Sequence, residues 1–188
     1  IELPVSPILL AMEQAGILLD VNLLQKQSSR LANDITKLEE SIYALSGESF
    51  NIASPKQLSA ILFEKLKLPA RKKTKTGFST DNEVLEGLKE AHAIIAPILE
   101  FRELTKLKST YVDALPSIMD PETHRVHTHF NQALTSTGRL SSTQPNLQNI
   151  PIRSKRGQEI RQAFIAPKGS VLLSLDYSQI ELRILAHI

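Results

Sequence analysis

Apolar residues recur at helical spacing through about the first two-thirds of the chain and at strand spacing only after it. Between Val5 and Gly16, the residues Ile8, Leu9, Met12 and Ala15 fall at helical intervals, and Gly16 supplies a stop. From Val21 to Leu45, Leu24, Leu31, Ile35, Leu38, Ile42 and Leu45 run close to a heptad, with Lys26, Arg30, Lys37 and Glu40 opposite and Gly47 after them. That predicts a long amphipathic helix, suited to one arm of a short projecting coiled-coil hairpin. Ser54-Pro55-Lys56-Gln57 joins a serine cap, a proline at the first helical position and a glutamine three residues on, opening a helix to Leu66. Thr80-Asp81-Asn82-Glu83 repeats the capping pattern ahead of Val84 to Glu90. Ile98 to Tyr111 follows Pro97 as a further helix, with Arg102, Lys106 and Lys108 on its exposed side.

The texture changes near Pro116. Asp120-Pro121-Glu122-Thr123 is a turn signal, and Arg125 to Gln132 alternates as a strand does. Thr135 to Arg156 is polar, carries glycine and proline, and has no amphipathic period; so long a stretch inside a compact domain usually has a functional reason. Ile160 to Ala166 and Val171 to Leu175 are strand candidates parted by a Pro167-Lys168-Gly169 turn. The expected class is α+β: a mainly helical lobe over 1–117, then a mixed lobe with a partial antiparallel sheet over 118–188.

Composition narrows this little. Apolar content of 41% and charged content of 22% suit an ordinary globular chain, and no run of about 18 apolar residues offers a membrane span. There is no cysteine, which removes disulfides and thiolate zinc sites and fits a reducing compartment. The chain opens on Ile1 with no signal peptide, so an internal piece of a longer protein is expected. Net charge is only +2, but Lys65, Lys67, Arg71, Lys72, Lys73 and Lys75 fall together before Thr80 with no acid among them. That run is either a solvated loop or a contact for phosphates, since clustered cations displace counterions from a polyanion.

Candidate chemistry sits near the C-terminus. Val171-Leu172-Leu173-Ser174-Leu175 runs into Asp176-Tyr177-Ser178-Gln179-Ile180-Glu181-Leu182-Arg183. On these residues alone, Asp176 reads either as a cap for the helix after it or as an oxygen ligand for a hard cation such as Mg²⁺. On that helix Gln179, Arg183 and His187 share one face, while Ile180, Ile184 and Ile188 share a face expected in a core. His124, His127 and His129 look like a metal cluster without a further ligand at zinc spacing, and Asp81-Asn82-Glu83 is explained by capping.

The Asp176 to Arg183 string resembles the first catalytic-aspartate motif of the family-A DNA polymerases, the bacterial DNA polymerase I type. A second resemblance lies 37 residues upstream, counted from Arg139 to Asp176. It is Thr137-Gly138-Arg139-Leu140-Ser141-Ser142-Thr143 with Pro145-Asn146-Leu147-Gln148-Asn149-Ile150-Pro151. Gln144 departs from the acidic residue of many family members. A looser match covers Lys106-Leu107-Lys108-Ser109-Thr110-Tyr111.

The resemblance implies a thumb followed by the first part of a palm, from a template-directed polymerase that adds deoxynucleotides to a primer 3′ end. It implies Mg²⁺ on Asp176 and the Tyr177 carbonyl, two ions in the complete site, and a nucleotide pocket of Gln179, Ile180 and Glu181, where Glu181 excludes a ribose 2′-hydroxyl. Primer-template DNA would meet Arg139, Asn146, Gln148, Asn149 and Arg153. Phosphates would meet Lys106, Lys108, Ser109, Thr110, Asn51, Ser54, Lys56, Ser79 and Thr80. Amide and guanidinium donors suit a copying enzyme, because minor-groove acceptors occupy nearly the same places in every base pair.

The fingers and the second carboxylate would then lie beyond Ile188, and a proofreading exonuclease before Ile1. The chain alone would bind DNA without extending a primer, would tend to self-associate, and would work in the cytoplasm at the bacterial nucleoid with no membrane partner. The rival readings are a non-catalytic DNA-binding module and a structural helical-arm protein.

Overall fold

Asp20 decides where the long helix begins: its carboxylate accepts the Leu23 N–H at 2.9 Å, and Gly47, at φ 75°, ends the helix in the left-handed region. In the computed structural model, which describes residues 2–70, 73–74, 77–152 and 154–188, this helix is α2 (Val21–Ser46). Before it come α1 (Glu2–Ala15) and the strand β1 (Ile17–Leu19). Gly16 joins them at φ 58°, where a Cβ would lie 2.7 Å from the His127 ring and 2.8 Å from the Val126 carbonyl. Only glycine lets the chain turn so closely there.

The heptad stripe of α2 does not project as an arm. It packs on α5 (Ile95–Leu107), burying Leu24, Leu31 and Ile42. Two buried clusters result. One gathers Ile42, Ile52, Leu58, Leu62, Leu85, Ile94 and Ile98; the other gathers Leu19, Leu24, Leu31, Leu104, Leu107, Tyr111, Val126 and Ile160. Ile35 and Leu38 of α2 pack against both, and the second cluster draws residues from both sides of residue 117.

Both capping boxes open helices, though shorter ones than expected. Ser54 caps α3 (Pro55–Ser59), which widens into a π-helical stretch over Ala60–Lys65. Gln57 turns its side-chain oxygen to the Asn51 N–H at 2.7 Å. The hairpin β2 (Lys73–Thr74) and β3 (Gly77–Phe78) precedes α4 (Asn82–Glu86), whose cap position is Asp81 and not Thr80. Beyond α5 a π-helical turn, Lys108–Val112, leads into α6 (Ala114–Ile118).

The Arg125 to Gln132 run divides between two sheets. β4 (Arg125–Val126) pairs antiparallel with β1, whose other edge takes β7 (Phe164–Ile165), giving the order β4-β1-β7. β5 (His129–Asn131) pairs with β6 (Ser141–Thr143), a strand inside the stretch read as structureless. Polar residues hid it, because buried hydroxyls and not apolar alternation hold it. Ile160 was expected in a strand; it lies in α7 (Lys155–Arg161), started by the Ser154 hydroxyl accepting the Gly157 N–H at 3.1 Å.

Val171 to Leu175 is the clear departure. The run forms no strand, and every residue from 167 to 188 is exposed, including the Ile180, Ile184 and Ile188 face expected in a core. An apolar run becomes a strand only when a neighbour satisfies its N–H and C=O groups, and no described strand lies beside it. The last helix, α8 (Ile180–His187), follows it with no buried residue.

Candidate nucleic-acid interface

The wall nearest the N-terminus is built on α5. Arg102 is half-buried and not exposed as expected. Its guanidinium donates to the Thr80 carbonyl, to the Thr80 hydroxyl at 3.2 Å and to the Asn82 side-chain oxygen at 3.3 Å. Burial lowers its pKa below that of a free guanidinium, and the charge of Asp81 opposes that shift. Ser79 and Thr80 are buried, and the Ser79 hydroxyl accepts the Asp81 N–H at 3.2 Å. Asn51 closes its own turn by accepting the Ala53 N–H at 3.0 Å, and the Ser54 hydroxyl oxygen accepts the Gln57 N–H in its cap bond, leaving its O–H to donate. Lys56 stands exposed beside them.

At the far end of α5 the π-helical turn has a chemical consequence. Asp113 N–H reaches back five residues to the Lys108 carbonyl at 2.9 Å, and the widened turn sets the two side chains together, Nζ to Oδ2, at 2.6 Å. On a regular helix residues five apart point well away from each other. Desolvation pushes the Asp113 carboxyl up, but hydrogen bonds from Lys108 and Ser28 with the Lys108 charge outweigh it and leave the pKa lowered. Lys108 is thereby held by an acid, whereas Lys106, Ser109 and Thr110 stay exposed.

The facing wall is the amide-rich segment. Thr128 and Ser142, both buried, share a hydroxyl contact at 2.7 Å; Thr128 also donates to the Pro145 carbonyl and Ser142 accepts the Leu147 N–H. These hydroxyls shape the loop around the cis Gln144–Pro145 bond. Gln148 brackets β6: its oxygen accepts the Ser142 N–H and its nitrogen donates to the Leu140 carbonyl, each at 3.1 Å. Asn146 turns its oxygen to the Gln148 N–H at 3.0 Å, so its amide nitrogen remains available. Tyr111, buried in α5's continuation, donates its hydroxyl to the Asn149 carbonyl at 2.7 Å.

These walls enclose one trough. A cleft of about 470 Å³ against Lys56, Ser79, Thr80 and Arg102 shares Asn82 and Arg102 with a larger one of about 830 Å³. That one shares Lys106, Tyr111 and Asn149 with a third, of about 670 Å³, which also takes in Thr110 and Asn146. Residues nearly 100 positions apart in sequence thus line one continuous surface. Arg102, Tyr111 and Arg156 were not among the site residues assigned from sequence. For Tyr111 the signal was present, a hydroxyl closing an apolar periodic series.

Asp176 lies outside that trough, exposed, and makes no hydrogen bond or ion pair among the described residues. It does not cap α8: the cap position is Gln179, in the left-handed region at φ 55°, and no side chain caps the helix. Among the described residues the segment makes one ion pair with the rest of the chain, Arg139 to Glu181 at 3.8 Å, both exposed. Tyr177 and Ile180 are exposed beside them. Two of the three histidines have other work. His127 sits 2.7 Å from the Glu13 carbonyl and His129 3.5 Å from its carboxylate, tying down α1. Arg153, and Arg71, Lys72 and Lys75 of the basic run, lie outside the described residues.

Residues 21–188 match the profile of DNA polymerase family A. DNA polymerase I of Synechocystis sp. is 58% identical over an alignment spanning 100% of this chain and 19% of that protein. The thermostable DNA polymerase I of Thermus aquaticus is 55% identical over 100% of this chain and 23% of its own length. Among solved structures, the POL domain of Pol1 from M. smegmatis, in complex with DNA primer-template and dNTP, superposes with a TM-score of 0.88 at 46% identity. That alignment covers 99% of this chain and 33% of that one. The chain therefore spans about a fifth of the length of the curated relatives it matches.

Proposed function

The chain belongs to DNA polymerase family A, and on that premise we propose that it is the duplex-gripping part and first catalytic-carboxylate segment of a template-directed DNA polymerase. The continuous trough carries this reading. It sets Lys56, Arg102 and Lys106, interspersed with Asp81, Glu86, Glu100 and Glu103, along one wall and the Asn146 and Asn149 amides along the other. Cations on one side meet phosphates; amide donors on the other meet minor-groove acceptors, which grip without reading sequence. The Thr80 hydroxyl accepts from Arg102 and keeps its own O–H to donate, while Arg102 spends donors on Thr80 and Asn82, so the two form a linked phosphate candidate. Gln148 acts first by holding β6 and keeps one amide N–H for DNA. Lys108 contributes less than Lys106, because Asp113 neutralises it.

Beyond the trough, the Arg139–Glu181 ion pair supports a reading in which Gln179, Ile180 and Glu181 serve the incoming nucleotide beside the duplex grip. Glu181, in the first turn of α8, is the residue we assign to steric exclusion of a ribose 2′-hydroxyl. The Asp176 carboxylate and Tyr177 carbonyl are hard oxygen donors that suit Mg²⁺, while no group of three metal-binding side chains gathers among the described residues. They would hold the metal jointly with substrate phosphates and a second carboxylate elsewhere in the whole protein. Bound Mg²⁺ would supply charge stabilisation for in-line phosphoryl transfer at two ions about 4 Å apart. One carboxylate cannot position both, so this chain binds primer-template but extends nothing.

Exposed Leu173, Leu175, Leu182 and Leu185 favour self-association of the isolated chain. No helix among the described residues is long and apolar enough to cross a membrane, in keeping with a cytoplasmic enzyme acting on the nucleoid.

A salt titration of primer-template binding, run beside a primer-extension assay with Mg²⁺ and all four deoxynucleotides, tests this. The log affinity falls with log salt at a slope near −0.9 per neutralised phosphate, about a hundredfold for a fourfold rise in salt if about four are met. Strong sequence preference, a flat salt response or measurable extension by this chain overturns the reading. Divalent-cation binding that is lost in Asp176→Ala separates the polymerase reading from a non-catalytic DNA-binding module.

A further inference from the structure

We propose that Tyr111 is a positioning residue for the duplex grip, its hydroxyl fixing the spacing between the cationic wall of the trough and the amide wall; this rests on the grip itself. The Tyr111 ring is 4% exposed, in the cluster that holds Leu104, Leu107 and Val126. Its hydroxyl emerges from that cluster to donate to the Asn149 carbonyl at 2.7 Å, across 38 positions of sequence. Among the described residues no other hydrogen bond joins the 95–112 helical run to the 140–152 segment. Lys106 and Thr110, on the same run, and Asn146 and Asn149, on the segment, line the same cleft as Tyr111.

A duplex presents its phosphates and minor-groove edge at a fixed separation. A surface that holds cation and amides at that separation meets both at once, and the second contact then forms at high effective concentration. The Asn146 turn, closed on Gln148, keeps residues 146–148 together as a unit but does not tie that unit to α5. Tyr111 does. The buried ring is held by its cluster whether or not the oxygen is present, and Asn149 is exposed enough for water to replace the lost donor. Removing the oxygen therefore releases the Asn149 carbonyl and lets the Asn146 and Asn149 amides shift, while Ile150, buried in the same cluster, keeps the fold.

The test uses Tyr111→Phe in the whole 188-residue chain, alone and combined with Asn146→Ala and Asn149→Ala. Tyr111→Phe weakens primer-template affinity about two- to tenfold, the loss of one modest hydrogen bond. The salt slope stays as in the parent chain, since no phosphate contact is removed. In the double-alanine background the same change costs little further, because the one amide left on the segment, Gln148, is fixed on β6 by its own bonds to Ser142 and Leu140. A merely structural role costs the same in both backgrounds, and that result overturns the proposal, as does unaltered affinity. A second readout needs no DNA: the side-chain amide NMR signals of Asn146 and Asn149 shift or average in Tyr111→Phe. Unmoved signals refute the positioning role. If the parent chain binds no DNA, the grip reading fails, and these signals still decide whether Tyr111 fixes the segment.

Discussion

The trough and the C-terminal segment carry the two strongest sequence motifs of this chain, and they are built in opposite ways. Every trough residue stands on something packed: Lys106 on a helix whose other face buries Leu104 and Leu107, Asn149 on a segment held by Tyr111, Ser142 and Thr128. Asp176 stands on a run whose apolar residues Val171, Leu173 and Leu175 are each at least 79% exposed. One motif comes with its own framework and the other borrows one. A functional string in a sequence states which side chains matter; it does not state that the chain in hand contains what holds them.

Core truncation gives the widest contrast. Leu104→Ala empties space in the second cluster and costs about 2–5 kcal/mol of unfolding free energy, whereas Leu173→Ala stays within about 0.5 kcal/mol. Urea unfolding followed by circular dichroism compares them directly, and an equal cost at both sites removes the distinction.

A smaller effect is expected where α7 meets the amide segment. A Cβ on Gly157 would sit 2.4 Å from the Pro151 carbonyl oxygen, so Gly157→Ala forces α7 and residues 150–152 apart. The expected cost is about 1–3 kcal/mol, with weaker DNA binding alongside it. Thermal unfolding and a binding titration on one preparation read both.

Helix caps sharpen the comparison further. Asp20→Ala loses the bond to Leu23 and costs about 1 kcal/mol, while Asp176→Ala, with no cap bond to lose, leaves stability within about 0.5 kcal/mol. A full capping cost at Asp176 would return it to the rank of a helix cap.

The least effect concerns pH at the attachment of α1. The Glu13 carboxyl is lowered from its ordinary 4.5, chiefly by the Phe130 N–H, with desolvation opposing and His129 assisting. A lowered folded-state pKa means the attachment is at full strength above 4.5 and fades as pH falls through the lowered value. Amide exchange at Phe130 should quicken over that range, and Glu13→Gln, which keeps an acceptor, should flatten the response. Exchange independent of pH in the unmodified chain, after correction for its intrinsic rate, would remove Glu13 from this role.

Local chemistry was legible from the residues themselves. Gly16 and Gly47 stop helices, Ser54 marks a helix start, and the heptad of α2 names Leu24, Leu31 and Ile42 among the residues it buries, because each depends on neighbours within a turn or two. The polymerase motifs were legible as strings for the same reason: their side chains are close in sequence. What lay beyond reach were the pairings. Polar β6 is a strand because β5 pairs with it, with Thr128 and Gln148 bracing it, and apolar Val171 to Leu175 is not one because no described strand lies alongside. The trough joins Lys56 to Asn146 only once α2 has packed on α5 and Tyr111 has reached Asn149. Periodicity states which faces must be covered, but the partner that covers a face or completes a ladder comes from distant sequence, and only the folded chain decides which partner that is.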